Sequence, residues 1–285
     1  GNRICNVKNI DSDYAEDIQR ITDGYTSYLK ISEGCDNFCS YCIIPKLRGR
    51  YRSRRMENII DEARNLSKNG TKELILIAQN TTDYGIDIYG EYKLPQLLNE
   101  LNKIKGIRWI RILYMYPDNF TKELISAISQ CEKVDKYVDI PIQHINDYIL
   151  KKMNRNISKE NITNLIYSLR KNIPDIIIRT TLIVGFPGEK EEYFNELVEY
   201  VKSVKFDRLG VFTYSREEGT AAYNFDVQIP ERIKNLRRDM IMKIQQNISA
   251  QKNKEKLNHV YPAMVEEQLE EDLYAGRTYM DSPEI

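Results

Sequence analysis

The sequence predicts an α/β fold in which six strand–helix units form a parallel sheet, followed by the start of a small β module. Short apolar or β-branched runs alternate with segments of helical period from Tyr28 onward, a pattern typical of parallel strands with helical crossovers. The alternation occurs six times, too few for the usual closed barrel of eight strands. Gly70, Gly106 and Pro174 stand near predicted helix ends, where helix-breaking residues belong. A six-stranded partial barrel or an open doubly wound sheet satisfies this count.

Each predicted element is a run of one periodicity. The predicted strands are Tyr28–Ile31, Glu73–Ile77, Trp109–Leu113, Tyr137–Ile140, Ile176–Val184 and Arg208–Phe212. The predicted helices are Glu57–Lys68, Leu94–Lys103, Lys122–Gln130, Ile145–Met153, Lys159–Asn172, Glu191–Val204 and a long one over Pro230–Asn258. In both candidate architectures, ligands gather at the carboxyl ends of the strands, so a motif that follows a strand is a candidate for function.

The chain divides into three parts. Residues 1–27 are polar and mixed in charge, and we expect them to lead in from a domain further upstream. Residues 28–258 form the barrel with its long C-terminal helix, whose many basic residues mark either a solvated face or a surface for RNA or an acidic partner. Residues 259–285 read as the beginning of a truncated β module, too acidic to bind phosphate by itself.

Composition excludes several classes of protein. The 285 residues carry 42 basic and 42 acidic side chains, so no overall field favours nucleic acid or a membrane. No apolar run approaches the length of a spanning helix. Five cysteines in a chain of this length do not form a secreted disulfide scaffold. We therefore expect a reduced, cytoplasmic setting, in which Cys5 and Cys131 are inert thiols.

Three cysteines are concentrated directly after the first predicted strand. Cys35, Cys39 and Cys42 have the spacing C-x3-C-x2-C. Zinc sites prefer two CxxC pairs or added histidines, and the chain has only His144 and His259. Three thiolates suit three irons of a four-iron cluster, because soft sulfur ligands favour iron–sulfur chemistry. The fourth iron would stay open to an exogenous ligand.

This motif resembles that of the radical S-adenosylmethionine (SAM) enzymes. In that family three cysteines, with an aromatic residue such as Tyr41 beside the last, hold a [4Fe-4S] cluster. The resemblance implies a partial barrel of radical SAM type. It also implies that SAM chelates the open iron through its amino and carboxylate groups and is reductively cleaved to a hydrogen-abstracting 5′-deoxyadenosyl radical.

Further segments carry the same resemblance. The segment TTLIVGFPGE runs from the fifth strand into a turn and then a helix. It resembles the part of the family that packs against adenine, although a plain strand–turn–helix would also use such glycines. The segment IAQNTTDYG follows the second strand, and DIPIQH, with His144 as a further ribose candidate, follows the fourth. The resemblance implies these cofactor-binding residues: Gln79, Gln143, Arg155, Thr180, Val184, Gly185 and Phe186.

The resemblance narrows to the methylthiotransferases, which insert sulfur at an unactivated C–H bond and methylate it. It rests on the segments CSYCIIPKLRGRYRSR, PIQH, LKKMNR, VGFPGE and FTYSREEGTAA. One branch modifies an aspartate β-carbon of ribosomal protein S12, and the other modifies an adenosine of tRNA. The tRNA branch tends to have Q-S-G-S and S-P-R-x-G-T where this chain has Gln143-His144 and Ser215–Thr220. These motifs favour the ribosomal-protein branch, with tRNA as the alternative substrate.

The same resemblance implies partners and further parts. An electron donor such as a flavodoxin or ferredoxin would reduce the cluster. The family also carries a second [4Fe-4S] cluster in an N-terminal domain, expected only in a full-length enzyme, and a C-terminal β-barrel called TRAM that binds the substrate. We therefore expect this chain to bind one cluster and SAM without completing methylthiolation.

A basic run follows the cysteines and is a candidate substrate entrance. The basic residues proposed for this entrance are Lys46, Arg48, Arg50 and Arg52. They could hold an aspartate-bearing protein loop by charge-assisted hydrogen bonds or a phosphate backbone, and a plain solvated loop would have the same composition.

Two functions of other classes remain open. A non-catalytic zinc-binding module would bind one zinc ion per chain and be colourless. A barrel hydrolase would need paired carboxylates, for which Asp83, Asp139 and Glu189 are the candidates at strand ends.

Overall fold

The computed structural model describes residues 24–283. Most of the predicted lead-in, with Cys5, lies outside these residues. The six barrel strands are β1 (Thr26–Lys30), β4 (Glu73–Ile77), β5 (Trp109–Ile112), β6 (Tyr137–Asp139), β7 (Ile177–Val184) and β8 (Arg208–Thr213). The two short strands β2 (Ser32–Glu33) and β3 (Arg52–Ser53) come between β1 and β4. All six predicted barrel strands are therefore present, with bounds that differ by two residues at most.

The barrel strands form two parallel halves. β4 is the centre of one half, between β1 and β5, and β7 is the centre of the other, between β6 and β8. A single bridge between Ile110 and Val134 joins the halves, supported by the Ile110 N–H donating to Lys133 O at 2.7 Å. Among the described residues, β1 and β8 do not pair with each other, so the barrel is open between its first and last strands.

Helices cover the outside of the barrel. They are α1 (Ile44–Arg48), α2 (Met56–Lys68), α3 (Ile86–Tyr89), α4 (Leu94–Asn102), α5 (Lys122–Gln130), α6 (Asp147–Lys152), α7 (Lys159–Asn172), α8 (Glu191–Val204) and α9 (Glu231–Glu255). Each long crossover helix turns an apolar stripe toward the sheet; in α4 this stripe is Leu94, Leu97, Leu98 and Leu101, all fully buried. The core therefore lies between the strands and this outer layer.

The prediction for Ile145–Met153 was too long, for a local reason. Asn146 caps α6, because its side-chain oxygen accepts the N–H groups of Tyr148 at 3.1 Å and Ile149 at 3.2 Å. The helix therefore begins at Asp147. This leaves residues 140–146 as an irregular connection at the carboxyl end of β6.

The C-terminal part of the described chain folds back under the barrel. After α9, the strands β9 (Ala263–Glu270) and β10 (Leu273–Thr278) form an antiparallel hairpin. Met280 then packs among Ile75, Leu113, Tyr137 and Ile177 inside the barrel. We call the amino ends of the barrel strands the base and their carboxyl ends the mouth. Among residues 24–283, no helix combines the length and apolar character needed to cross a lipid bilayer.

Candidate functional site

The three cysteines lie on a loop at the mouth that follows β2. Gly34 begins this loop with φ of +79°, and a Cβ there would collide with the carbonyl group of Arg50, so only glycine fits. The N–H of Gly34 donates to the side-chain oxygen of Gln79 at 2.7 Å, and the N–H of Cys35 donates to Gly49 O at 3.3 Å. The loop is thus held from the second barrel strand on one side and from the basic run on the other.

A second set of bonds ties the loop to the segment after α6. The N–H of Ser40 donates to Met153 O at 2.9 Å, and its hydroxyl donates to Lys152 O at 2.8 Å. Asn154 also donates from its side chain to Phe38 O at 2.9 Å. Hydrogen bonds from two other segments therefore hold the backbone of the cysteine loop in place.

The cysteine thiols are half-buried. Burial raises the pKa of Cys35 to about 11, and the thiols of Cys39 and Cys42 nearby act in the same direction. Burial also raises the pKa of Cys42. These two thiols therefore carry protons at neutral pH, and a bound metal would displace them.

The thiols of Cys35, Cys39 and Cys42 lie near one another on one loop. Among residues 24–283, no three side chains of His, Cys, Asp or Glu lie close enough to hold one metal ion. A cluster that gives each cysteine its own iron needs sulfurs further apart than a tetrahedral zinc ion does. Three thiolates on one loop fit an iron–sulfur cluster, because soft sulfur ligands favour iron–sulfur chemistry.

Arg155 lies between the cysteine loop and the barrel mouth. Its guanidinium donates to Tyr41 Oη at 3.2 Å and to Pro141 O at 2.8 Å, and it stacks 4.2 Å from the ring centre of Tyr116. Its Nε atom is buried and, within the described chain, has no hydrogen-bond partner. A buried donor of this kind is suited to an acceptor on a bound ligand.

Gln143 provides an acceptor at the same mouth. Its φ of 68° is left-handed, which is unfavourable for a residue with a side chain. Its backbone bonds to Thr181 O and Ile183 N hold it beside β7. Its side-chain oxygen is buried without a partner in residues 24–283. Backbone strain together with an unpaired polar atom is typical of a ligand site.

Other predicted cofactor residues have partners inside the protein. Thr180 is fully buried, and its hydroxyl donates to Ile140 O at 2.8 Å. His144 is also fully buried, with both ring nitrogens in hydrogen bonds to protein groups, so its ring is not free to contact a ribose. The side chain of Gln79 serves the cysteine loop, as described above. Direct contact with a cofactor is thus better supported for Gln143 and Arg155 than for these three residues.

The turn after β7 presents backbone to the mouth. Val184 and Phe186 are fully buried, and the ring of Phe186 packs edge-on against Tyr214 at 5.3 Å and Phe225 at 6.1 Å between ring centres. Gly185 has φ of +71°, and a Cβ there would collide with the side chain of Lys234. The turn can therefore meet a ligand through its backbone, while its side chains anchor it.

The basic run is partly neutralised by acids of the cysteine loop. Arg48 pairs with Glu33 at 3.1 Å and Arg50 with Asp36 at 3.0 Å, and both arginine side chains are mostly exposed. The guanidinium of Arg50 also lies 5.5 Å from the ring centre of Phe38. Arg52 donates to carbonyl groups of its own loop. The segment thus supports the loop as well as adding charge to the mouth, where Lys46 lies at its start.

The three strand-end carboxylates do not form a hydrolytic pair. Asp139 pairs with Arg179 at 2.7 Å, and Glu189 pairs with Arg237 at 2.9 Å. Asp83 accepts from the side chain of Asn119 at 2.5 Å, and burial raises its pKa to about 6. Each carboxylate is bound to a different protein group, so these three residues do not provide the carboxylate pair that a barrel hydrolase requires.

Sequence reasoning missed several residues of the site. Tyr116 supports Arg155, and Tyr51 binds Asn80 O through its hydroxyl at 3.0 Å. Arg237 and Lys234 come from α9, far along the chain from the turn that they contact. An isolated tyrosine, or a charged residue on a polar helix, forms no local sequence pattern that indicates a site. For the contact of Arg237, the sequence motif VGFPGE contained only the partner residue, Glu189.

Comparisons with known proteins agree with this geometry. The model of the Radical SAM superfamily matches residues 29–201. Proteins named ribosomal protein uS12 methylthiotransferase RimO are similar to the chain. The one from Clostridioides difficile is 52% identical over 99% of this chain and 64% of its own length. The one from Thermoanaerobacter sp. is 54% identical over 95% of this chain and 62% of its own length. The chain thus spans about three fifths of the curated relatives that it matches.

Solved structures resemble the fold. Coproporphyrinogen III oxidase (HemN) from Escherichia coli, described as a radical SAM enzyme, has a TM-score of 0.57 at 19% identity, covering 79% of this chain and 53% of its own. The radical SAM methyltransferase TsrM from Kitasatospora setae has a TM-score of 0.55 at 18% identity, covering 67% of this chain and 37% of its own. The predicted partial barrel of radical SAM type is confirmed. With its three-cysteine loop at the mouth and the superfamily match over most of its barrel, the chain belongs to the radical SAM superfamily.

Proposed function

We propose that this chain is the cluster- and SAM-binding core of a methylthiotransferase, a transferase that modifies the β-carbon of an aspartate of ribosomal protein S12. The observation that carries the proposal is the similarity to relatives named for this activity, at 52% identity over 99% of the chain in one case and 54% over 95% in another. The motifs that separate the ribosomal-protein branch from the tRNA branch agree with it.

The residues of the mouth have distinct roles in this proposal. Cys35, Cys39 and Cys42 hold a [4Fe-4S] cluster with one open iron. The buried, unpartnered atoms of Gln143 and Arg155 accept from and donate to SAM. When bound, the cluster and SAM supply the one-electron chemistry that removes hydrogen from an unactivated C–H bond. The protein supplies position and a dry site.

Other predicted residues act mainly through the backbone or through their neighbours. Thr180 lies within β7, and Val184, Gly185 and Phe186 follow at its carboxyl end. Their side chains are largely buried, and in this proposal the backbone of the turn meets adenine. Gln79 holds the loop of the cysteines through Gly34. Replacing such a residue would disturb the cofactor site without removing a direct contact.

The proposed partners follow from the charges at the mouth. Arg48 and Arg50 are exposed beside the cysteine loop and can attract an aspartate of S12. An electron donor such as a flavodoxin or ferredoxin would approach the same loop. The second [4Fe-4S] cluster belongs to the full-length enzyme, and the proposed setting is the cytoplasm.

The first experiment tests the cofactor chemistry. The chain is reconstituted anaerobically with iron and sulfide, reduced and given SAM, and 5′-deoxyadenosine is measured. Cys39→Ala should lose the product and a share of the iron. Cys131→Ser is the matched control, because Cys131 is buried away from the mouth and its thiol bonds Asn99. Equal product from Cys39→Ala and the unaltered chain would refute the assignment.

The second experiment identifies the substrate. An S12 peptide deuterated at the aspartate β-carbon is added to the reconstituted chain, and the 5′-deoxyadenosine is analysed by mass spectrometry. Deuterium in the product supports the aspartate substrate. If deuterium is instead transferred from a tRNA anticodon stem-loop deuterated on its adenosine, the tRNA alternative replaces it.

A further inference from the structure

A fully buried carboxylate lies directly beneath the turn after β7. Glu189 accepts a very short hydrogen bond from the N–H of Gly185, so it bridges the two ends of the turn. Arg237 of α9 donates to the Glu189 carboxylate at 2.9 Å and to its backbone carbonyl at 3.0 Å. Burial of a carboxylate is costly unless charge and hydrogen bonds compensate it. Arg237 provides both.

His144 completes this arrangement from the end of β6. Its Nδ1 accepts the N–H of Asn146 at 3.0 Å, which places the ring proton on Nε2. Nε2 lies 3.3 Å from Glu189 Oε1 and therefore donates to it. One carboxylate thus links the strand end that carries Gln143, the turn after β7 and the helix α9.

Lys234 reinforces the same contact one helical turn away. Its stem packs on Gly185, where a Cβ could not fit, and its Nζ donates to Tyr214 O at 2.8 Å. Arg237 also stacks 5.2 Å from the ring centre of Phe194 in α8. Residues three positions apart lie on one face of a helix. The first turns of α9 therefore pack directly against the turn after β7.

We propose that Glu189, His144 and Arg237 are positioning residues, which we call the clasp, and that the clasp holds the turn in the shape that binds SAM. This inference rests on the proposed function, because it takes the turn to be the surface for SAM. The clasp makes α9 part of the support of the cofactor site, because Arg237 and Lys234 contact the turn after β7. Loss of the clasp should loosen the turn and weaken SAM binding, while the cysteine loop keeps its cluster.

A matched pair of variants on the same helix tests the clasp. Arg237→Gln removes the ion pair to Glu189. Lys252→Gln removes a similar ion pair, from Lys252 to Asp207 at 2.7 Å, near the other end of α9. SAM affinity of the anaerobically reconstituted chain is measured by equilibrium dialysis, together with iron content and thermal unfolding. We expect Arg237→Gln to raise the Kd for SAM about tenfold, because supporting residues of a site typically contribute that much, and Lys252→Gln to leave it within about twofold.

Hydrogen exchange distinguishes local loosening of the turn after β7 from a general loss of stability of the chain. The amide of Gly185 should lose protection in Arg237→Gln and keep it in Lys252→Gln. Arg237→Lys, which retains the charge without the planar fork, should recover part of the affinity. Equal SAM affinity in Arg237→Gln and the unaltered chain, or equal losses in both glutamine variants, would overturn the clasp.

A second pair of variants covers the case in which Arg237→Gln does not fold. His144→Gln keeps an N–H donor and His144→Leu removes it. Weaker SAM binding in the leucine variant alone supports the clasp, and equal affinity in the two variants rejects it. If the unaltered chain holds its cluster and fails to bind SAM, the proposed function fails, and the clasp with it. If the unaltered chain binds SAM and the variants do so equally, only the clasp fails.

Discussion

The mouth and the base of this barrel both bury charged and polar groups, but the base gathers its charges into one connected network of ion pairs. At the base, Glu73 is fully buried and accepts from Arg111 at 3.0 Å and from both terminal nitrogens of Arg277. Arg111 also donates to Tyr279 O at 3.0 Å and lies 2.8 Å from Asp135, although off the direction of a hydrogen bond. At the mouth, buried atoms of Gln143 and Arg155 lack partners among residues 24–283.

Backbone strain follows the same division. Four of the seven described non-glycine residues with positive φ lie at the mouth, namely Phe38, Tyr114, Gln143 and Asn154. Such conformations cost free energy and persist where the surroundings enforce them, typically at functional sites. The comparison indicates that the ion pairs of the base stabilise the barrel, whereas the strained residues and unpaired atoms of the mouth, within residues 24–283, support the proposal of a ligand site there.

The largest expected effect is on stability and comes from the base. Glu73→Gln leaves two buried guanidinium groups without their shared anion, and we expect a loss of about 3–5 kcal/mol in the free energy of unfolding. SAM affinity of the folded chain should stay within about twofold. Chemical denaturation and equilibrium dialysis measure the two quantities. Glu266→Gln is the control, because Glu266 is a partly exposed partner of Arg277 and should cost less than about 1 kcal/mol. A parallel loss of SAM affinity in Glu73→Gln would break the comparison.

The second effect concerns a carboxylate at the mouth. Burial raises the pKa of Asp83 to about 6, and the pKa in the unfolded chain is near 3.9. The neutral form is thus favoured by folding, and the stability that it contributes is present below about pH 4 and lost as the pH rises through 6.

Asp83→Asn cannot ionise and keeps an oxygen for the Asn119 donor. We expect it to stabilise the reduced, metal-free chain by about 2 kcal/mol at pH 8 and by little near pH 4. Urea denaturation at the two pH values checks this. The same gain at both would show that the charge of Asp83 is not the cause.

The third effect separates strain from ligand binding. Gln143→Gly relieves a left-handed conformation and removes an unpartnered oxygen. The relief is offset by the entropy of glycine in the unfolded chain, so stability should change by less than about 1 kcal/mol. The Kd for SAM should rise about tenfold. Lys205→Gly makes the same backbone change at the end of α8, with φ of 51°, and should leave SAM binding unaltered. Unchanged SAM affinity in Gln143→Gly would remove Gln143 from the site.

The smallest effect is expected at the exposed rim. Arg48→Ala removes a largely exposed arginine from Glu33, which keeps Lys30 at 2.7 Å, and should change stability by less than about 0.5 kcal/mol. If the rim is the substrate entrance, the affinity for an S12 peptide should still fall severalfold, and the fall should shrink at high salt. Fluorescence titration at two salt concentrations measures it. An unchanged affinity for the peptide would show that Arg48 supports the cysteine loop but does not contribute to substrate binding.

The fold could be predicted from the sequence wherever periodicity is regular. The helices Lys122–Gln130, Lys159–Asn172 and Glu191–Val204 and the strand Glu73–Ile77 have the predicted bounds. β2 and β3 were missed, because two residues are too few to establish a period. The helix expected to begin at Ile145 begins after Asn146, whose capping side chain the apolar pattern did not reveal.

The site could be predicted only where its residues are neighbours in the sequence. The spacing of Cys35, Cys39 and Cys42 is a local pattern, and it led directly to the mouth. His144 forms a hydrogen bond with Glu189, which lies 45 residues later in the chain. The sequence could therefore suggest that His144 contacts a ligand, but it could not reveal this hydrogen bond within the protein. Contacts of this kind follow from the topology of the barrel, and no local pattern encodes them.

The ion pair between Arg277 and Glu73 joins residues that are synthesised at different times. Arg277 lies 204 residues after Glu73, so at ordinary rates of translation it leaves the ribosome roughly 10–40 s later. During that interval the barrel strands can pair. Arg111 is then the basic partner of Glu73, and the contact of Arg277 with the base has not yet formed. We therefore expect the base of the barrel to be less stable in the nascent chain until Arg277 pairs with Glu73. That interval is when a chaperone or a protease would find this protein easiest to engage.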